Sequence, residues 1–275
     1  MLNKIITRLP LPAWKMNRRN KKPKWQYGKP PVYLNFPISF FSSLDGERLD
    51  VPQFKAMVGE IISYGVADWY RRELSAWQNP REYDYKLFSR TLGKMDISVG
   101  DEMNYFYNGV LPSMERVTRS AGHAFCGIPI QWLISFLNDD VSDYECMQFL
   151  AYCAIRSILG RSLYDGFIPV PKRITWEFIL SRMAGNNKRV PVDKLPPFIA
   201  AYAIRRKRDK LRKSLIHKWH VQVDGQRRGR GGAYYMIHDG EPIAKAVENL
   251  MALKKLSREE RANKAQQPKE PLSPF

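Results

Sequence analysis

Seven of the nine residues from 205 to 213 are bases: Arg205, Arg206, Lys207, Arg208, Lys210, Arg212 and Lys213. Asp209 is the lone acid among them. Further along, Arg227, Arg228 and Arg230 stand among Gly225, Gly229, Gly231 and Gly232. Guanidinium groups present planar forks that match pairs of phosphate oxygens, and ammonium groups add point charges. Glycine lets the backbone itself come close to such a ligand. The chemistry these residues suit is recognition of a polyanion.

The chain has 275 residues and a net charge of +18, and the excess is concentrated. Residues 205–230 hold eleven bases against Asp209 and Asp224, and residues 1–30 hold nine bases and no acid. Everything else balances. Positive charge segregated on a neutral body is the electrostatic footprint of a nucleic-acid binder. Charged surface helices ordinarily mix signs for pairing one turn apart. The run at 205–213 repels itself without an anionic partner.

Those bases need a helix and a hairpin to position them. At about 100° per residue, Ile204, Leu211 and Leu215 fall together as a buried stripe. Opposite lie Tyr202, Arg206, Asp209, Lys210 and Lys213, the face expected against DNA, with Arg205 and Arg212 on the flank suited to phosphates. Arg208 falls in the apolar stripe, where it snorkels or pairs with an acid. Residues 218–223 alternate as a strand, 233–237 form a β-rich partner, and 224–232 read as a glycine-rich loop closing the hairpin. Residues 1–31 read as a basic flexible arm whose Arg18, Arg19, Lys21 and Lys22 can follow the DNA backbone or reach a minor groove.

The remainder reads as mainly α with small β-hairpins, an α+β class. A short extended stretch at 31–37 precedes a helix over 51–77, with Asp50 as N-cap, Pro52 in its first turn and Asn79-Pro80 ending it. Helices near 85–93 and 101–120 follow. The second half echoes the first: Ile128-Pro129-Ile130 matches Phe36-Pro37-Ile38, and Asp140-Val141 matches Asp50-Val51 at an offset of 90. Ile179-Leu180-Ser181-Arg182 matches Leu87-Phe88-Ser89-Arg90 at an offset of 92, which suggests an internal duplication. Pro242 opens a helix with Ile243, Val247 and Leu250 on one face. Ser257 and Glu260 suggest a capping box for a short last helix, and three prolines in the last dozen residues suggest a loose tail.

Three helices followed by a β-hairpin resemble the winged-helix family of DNA-binding proteins, over residues 128–240, with 224–232 as the wing. The longer segment Gly185–Lys194 between second and third helices departs from the usual short turn. The resemblance implies a third helix in the major groove and a wing on the backbone or minor groove. Through the repeat it extends to tandem winged-helix-like domains, similar to plasmid and phage replication initiators that bind origin repeats without nicking. The expected layout is an arm at 1–31, a wingless domain at 32–122 for dimerisation or for a replication or transcription partner, a DNA-binding domain at 123–240, and a helix with a tail at 241–275. Double-stranded DNA is the expected partner. A transcription regulator, an RNA-binding protein using the arm and the RGRGG string, and a metal-dependent nuclease are the alternatives.

Other chemistry finds little support. There is no GxxxxGK[ST] phosphate loop, no Gly-x-Ser-x-Gly and no His-Glu-x-x-His, and neither enzyme nor cofactor is expected. His123-x-x-Cys126 lacks a second matching pair for zinc. Asp96, Asp101 and Glu102, or Asp139, Asp140 and Asp143, suit helix starts better than a nuclease metal site. His217 and His220 flank the turn into the wing. Cys146 and Cys153 share one helix face and read as core. The aromatics of the first half recur at core spacing. Three cysteines point to a reducing, cytoplasmic setting, and no apolar run approaches the roughly 20 residues of a membrane helix. Pro10 and Pro12 break any secretory core.

Overall fold

The computed structural model describes residues 32–76, 83–119, 124–160, 171–229, 232–237 and 242–266; at 118, 119, 226–229, 260 and 263–266 only the backbone is described. The arm with Arg18, Arg19, Lys21 and Lys22, together with Asn79-Pro80, His123, Arg230 and the tail, lies outside these residues.

The chain is mainly helical with two small antiparallel sheets. Strand β1 (Tyr33–Pro37) leads through a 3-10 turn (Ile38–Ser43) to α1 (Val51–Ser75) and α2 (Tyr85–Met95). A third helical stretch comprises α3 (Glu102–Tyr105), a π turn (Phe106–Val110) and α4 (Leu111–Arg119). Pro112 has no N–H to give the carbonyl one turn back, and the widened turn just before it accommodates that loss. Strand β2 (Phe125–Pro129), α5 (Ile130–Asn138) and α6 (Asp143–Leu159) follow. Next come β3 (Lys172–Ile174), α7 (Trp176–Met183), a 3-10 turn (Val192–Lys194), α8 (Pro197–Ala200) and a 3-10 turn (Ala201–Ala203). Helix α9 (Arg205–Trp219), strands β4 (Val221–Gly229) and β5 (Gly232–Ile237), and α10 (Ile243–Gln266) complete the described chain.

The echo between the halves is clearest at one offset. A shift of 92 carries β1, 33–37, onto β2, 125–129, and the N-cap Asp50 onto the N-cap Ser142. The offset of 90 expected for the long helices is corrected, because α6 starts at Asp143 behind a Ser142–Glu145 capping box and not at Asp140. The two strands pair antiparallel around Asn35 and Gly127, which are counterparts at that offset. Leu34 and Phe36 on one strand are buried as Cys126 and Ile128 are on the other. One buried cluster runs from Leu34 to Tyr235 and draws on both halves, including Phe54 of α1 against Phe136 and Phe149 at centroid separations of 5.7 and 5.6 Å.

Two caps are as expected: the Gln53 amide donates to the Asp50 carboxylate at 3.2 Å, and the Asn104 amide to Asp101 at 3.0 Å. Others move. Asp96 sits at the left-handed C-terminus of α2 (φ 58°) and Asp139 ends α5, so neither starts a helix. Ser257 lies inside α10, which is continuous where a fresh capping box was expected. Helix α10 packs against β4 and β5. Of the expected Ile243, Val247 and Leu250, Val247 is fully buried and the other two are half-buried.

Candidate nucleic-acid interface

Helix α9 buries Leu211, Leu215 and Trp219, spaced four apart, against α6 and the hairpin. Trp219 closes the stripe among Trp132, Phe136, Phe149 and Tyr152, and its indole N–H donates to Gln148 Oε1 at 3.0 Å. With that side fixed, Arg206, Lys210, Lys213 and His217 project outward together, all exposed, within about 60° of one another around the axis. The Lys210 ammonium lies 4.8 Å from the Tyr144 ring, whose hydroxyl is 2.9 Å from Ser214 Oγ. The side chain is therefore placed by α6 while its charge stays in solvent.

The start of α9 concentrates charge further. Arg205, Arg206, Lys207 and Arg208 occupy its first turn, with no acid there and no side-chain cap. Cations at this end oppose the helix dipole and leave the first amides without a local acceptor. An anion meets both demands. Asp209 offsets them in part: Arg205 Nε approaches it at 3.6 Å and Arg208 Nε at 3.4 Å. Arg208 is half-buried and pairs with the acid, in keeping with its place in the stripe.

Three expectations for this helix are corrected. Ile204 is 61 % exposed, because its extended backbone (φ −63°, ψ 130°) interrupts the helix and the stripe does not carry through it. Tyr202, two residues before that break, sits in the 3-10 turn and not on the face of Arg206. It is half-buried, burial raises its phenol above the ordinary value, and its carbonyl accepts the Trp176 indole N–H at 2.9 Å. Arg212 turns inward. It donates to the Tyr235 hydroxyl at 3.1 Å, with its guanidinium 5.7 Å from the Trp176 ring and 6.0 Å from the Tyr235 ring.

The hairpin also differs from its expected bounds. Lys218 and Trp219 belong to α9, and the left-handed His220 (φ 53°) ends the helix where a strand was expected. Strand β4 continues to Gly229, which pairs with Gly232 across a register shift after Asp224. Most of the expected loop at 224–232 is therefore strand, and Arg227 and Arg228 lie along β4. Gly232 has φ +94°, and a Cβ there would collide with the Ile174 carbonyl oxygen. Only glycine fits this junction with β3, a strand that sequence periodicity could not reveal in three residues. The sheet order is β3-β5-β4.

Among the described residues no group of three His, Cys, Asp or Glu side chains could hold a metal ion. Cys126, Cys146 and Cys153 are buried, and burial pushes the Cys146 thiol up to about 12. His217, missed as a member of the outward face, is legible in hindsight as Lys213 plus four. None of the described helices is long and apolar enough to cross a membrane. Compared with protein-family models, with curated proteins and with solved structures, the chain matches none of them.

Proposed function

We propose that the chain binds double-stranded DNA sequence-specifically, with α9 in the major groove and the β4–β5 hairpin on the adjacent backbone or minor groove. The outward face of α9 carries this reading: Arg206, Lys210, Lys213 and His217 on a helix held rigid by Leu211, Leu215 and Trp219. Bases fixed on a braced helix can read base edges, whereas bases on a loose tail supply mainly non-specific attraction. The order α6, β3, α7, α8, α9, β4, β5 supports the winged-helix resemblance, since the hairpin is tied to the helices by a third strand.

The biological role proposed for this binding is non-nicking initiation of replication at repeated origin sites. The duplicated layout supports it, with one half basic and the other not. The first half then serves partner contact. Its third helical stretch exposes Met103, Tyr107 and Leu111 at four-residue intervals, with Tyr83 bonded to the Met103 sulfur at 3.1 Å.

Selection from a randomised duplex library tests the reading. One motif is expected, and Arg206→Ala should relax the preference at one position of it. Preference for RNA or single strands, or binding with no selected motif, overturns it.

A further inference from the structure

We infer that Arg212 is a positioning residue that locks the hairpin to α9, and not a phosphate contact. The inference rests on the DNA reading above and concerns the same surface. Arg212 stands one residue from the outward face yet points the other way. Its Nη2 donates to the hydroxyl of Tyr235, which is fully buried on β5, the central strand of the β3-β5-β4 sheet. Its guanidinium lies over Trp176, the first residue of α7, and the Trp176 indole holds the Tyr202 carbonyl just before α9. One side chain thus joins α9, the hairpin and α7. Burial raises the Tyr235 phenol, and the Arg212 cation partly counters the rise, so the pair is a neutral hydroxyl held by a fixed cation.

The geometry uses what distinguishes arginine from lysine. A planar group can lie over one ring, here Trp176, while one nitrogen donates along its own plane to the Tyr235 hydroxyl. Among the described residues the Arg212 Nε is buried without a hydrogen-bond partner. Leaving that donor unpaired costs stability, so the inward position rests on the Trp176 ring and the Tyr235 bond. What the brace sets is the angle between the two elements proposed to grip DNA. Losing it would leave charge on the surface nearly unchanged and the two contacts out of step.

The experiment uses the full chain carrying Arg212→Met or Arg212→Lys, titrated over a range of salt with the library-selected duplex and with a duplex lacking the motif. Both variants should lose about tenfold or more on the motif, hold the other duplex within about twofold, and keep the wild-type salt slope. Equal losses on both duplexes with a slope smaller by about one would make Arg212 a phosphate contact and overturn the inference. Equal losses at unchanged slope, as from a less stable fold, overturn it too, as does wild-type behaviour of the lysine variant. If the wild type selects no motif, the DNA reading itself has failed. The brace is then read without DNA, by amide hydrogen exchange: Arg212→Met should speed exchange at 233–237 relative to α1, and unchanged exchange overturns it.

Discussion

The third helical stretch of each half packs on its own long central helix, α4 on α1 and α9 on α6, yet the two present unlike surfaces. Residues 102–119 carry Glu102 and Glu115 against Arg116 and Arg119, and expose Met103, Tyr107 and Leu111. Arg116 there is engaged, pairing with Glu60 at 2.7 Å and lying over Phe40 at 5.5 Å. Helix α9 carries one acid among its bases and exposes Arg206, Lys210 and Lys213. Burial constrains only the inner stripe of each helix and leaves the outer face free to differ. Function is expected where the two halves differ, and stability where they agree.

The strongest way to break this comparison is to ask whether the halves are energetically one. Phe106 is 1 % exposed and packs on Tyr70, Tyr83 and Phe88 in the first half, remote in sequence from α9. Phe106→Ala should cost about 3–5 kcal/mol. Because one buried cluster spans both halves, calorimetry should show a single transition moved down, and duplex binding should fade with it on heating. Two separated transitions, with binding surviving the first, would show halves that share a sheet but not a fold.

High pH gives the next largest effect and tests what the first half buries. Tyr105 is pushed up to about 12 by burial, against a hydrogen bond with Ser63 that lowers it. Its folded pKa lies above the unfolded value, so the neutral phenol's contribution is complete below pH of about 10. It is lost as pH climbs from there through about 12, removing about 3 kcal/mol. Phenolate absorbance should show Tyr105 ionising only alongside unfolding. Ionisation of Tyr105 in an intact fold would contradict the packing.

These outcomes bear on what could be read from the sequence. The boundaries of α1 were legible because Asp50, Pro52 and the apolar spacing act within a turn or two of one another. The inner stripe of α9 was legible at Leu211 and Leu215 for the same reason. It failed at Ile204 and Tyr202, where a backbone break at 204 ends the helical phase and periodicity gives no sign of it. Arg212 was assigned to the wrong side because its direction depends on Trp176 and Tyr235, partners from other elements. The hairpin was legible as a hairpin, but its strands grew inward toward Gly229 and Gly232 once a third strand gave the sheet an anchor. On the candidate face, Arg206, Lys210 and Lys213 needed only local spacing, while Arg227 and Arg228 were placed only to their strand.

The smallest effect tests the two halves where they agree. Asp50 and Ser142 cap α1 and α6 at equivalent positions, but by different means. Asp50 accepts one amide, from Gln53 at 3.2 Å. Ser142 accepts the Glu145 amide at 3.3 Å, while the Glu145 carboxylate takes the Ser142 amide at 3.1 Å and its hydroxyl at 2.8 Å. Asp50→Ala and Ser142→Ala should each cost about 1 kcal/mol. The serine change should cost the more, since it breaks both hydroxyl bonds of a reciprocal box and leaves Glu145 holding the amide alone. Neither cap touches the outward face of α9, so the selected DNA motif and the salt slope should be unchanged in both variants. Chemical denaturation of the pair in parallel measures the difference. A larger loss at Asp50 would contradict the reciprocal box at Ser142, and a changed motif at Ser142 would mean that this cap acts on the α9 face.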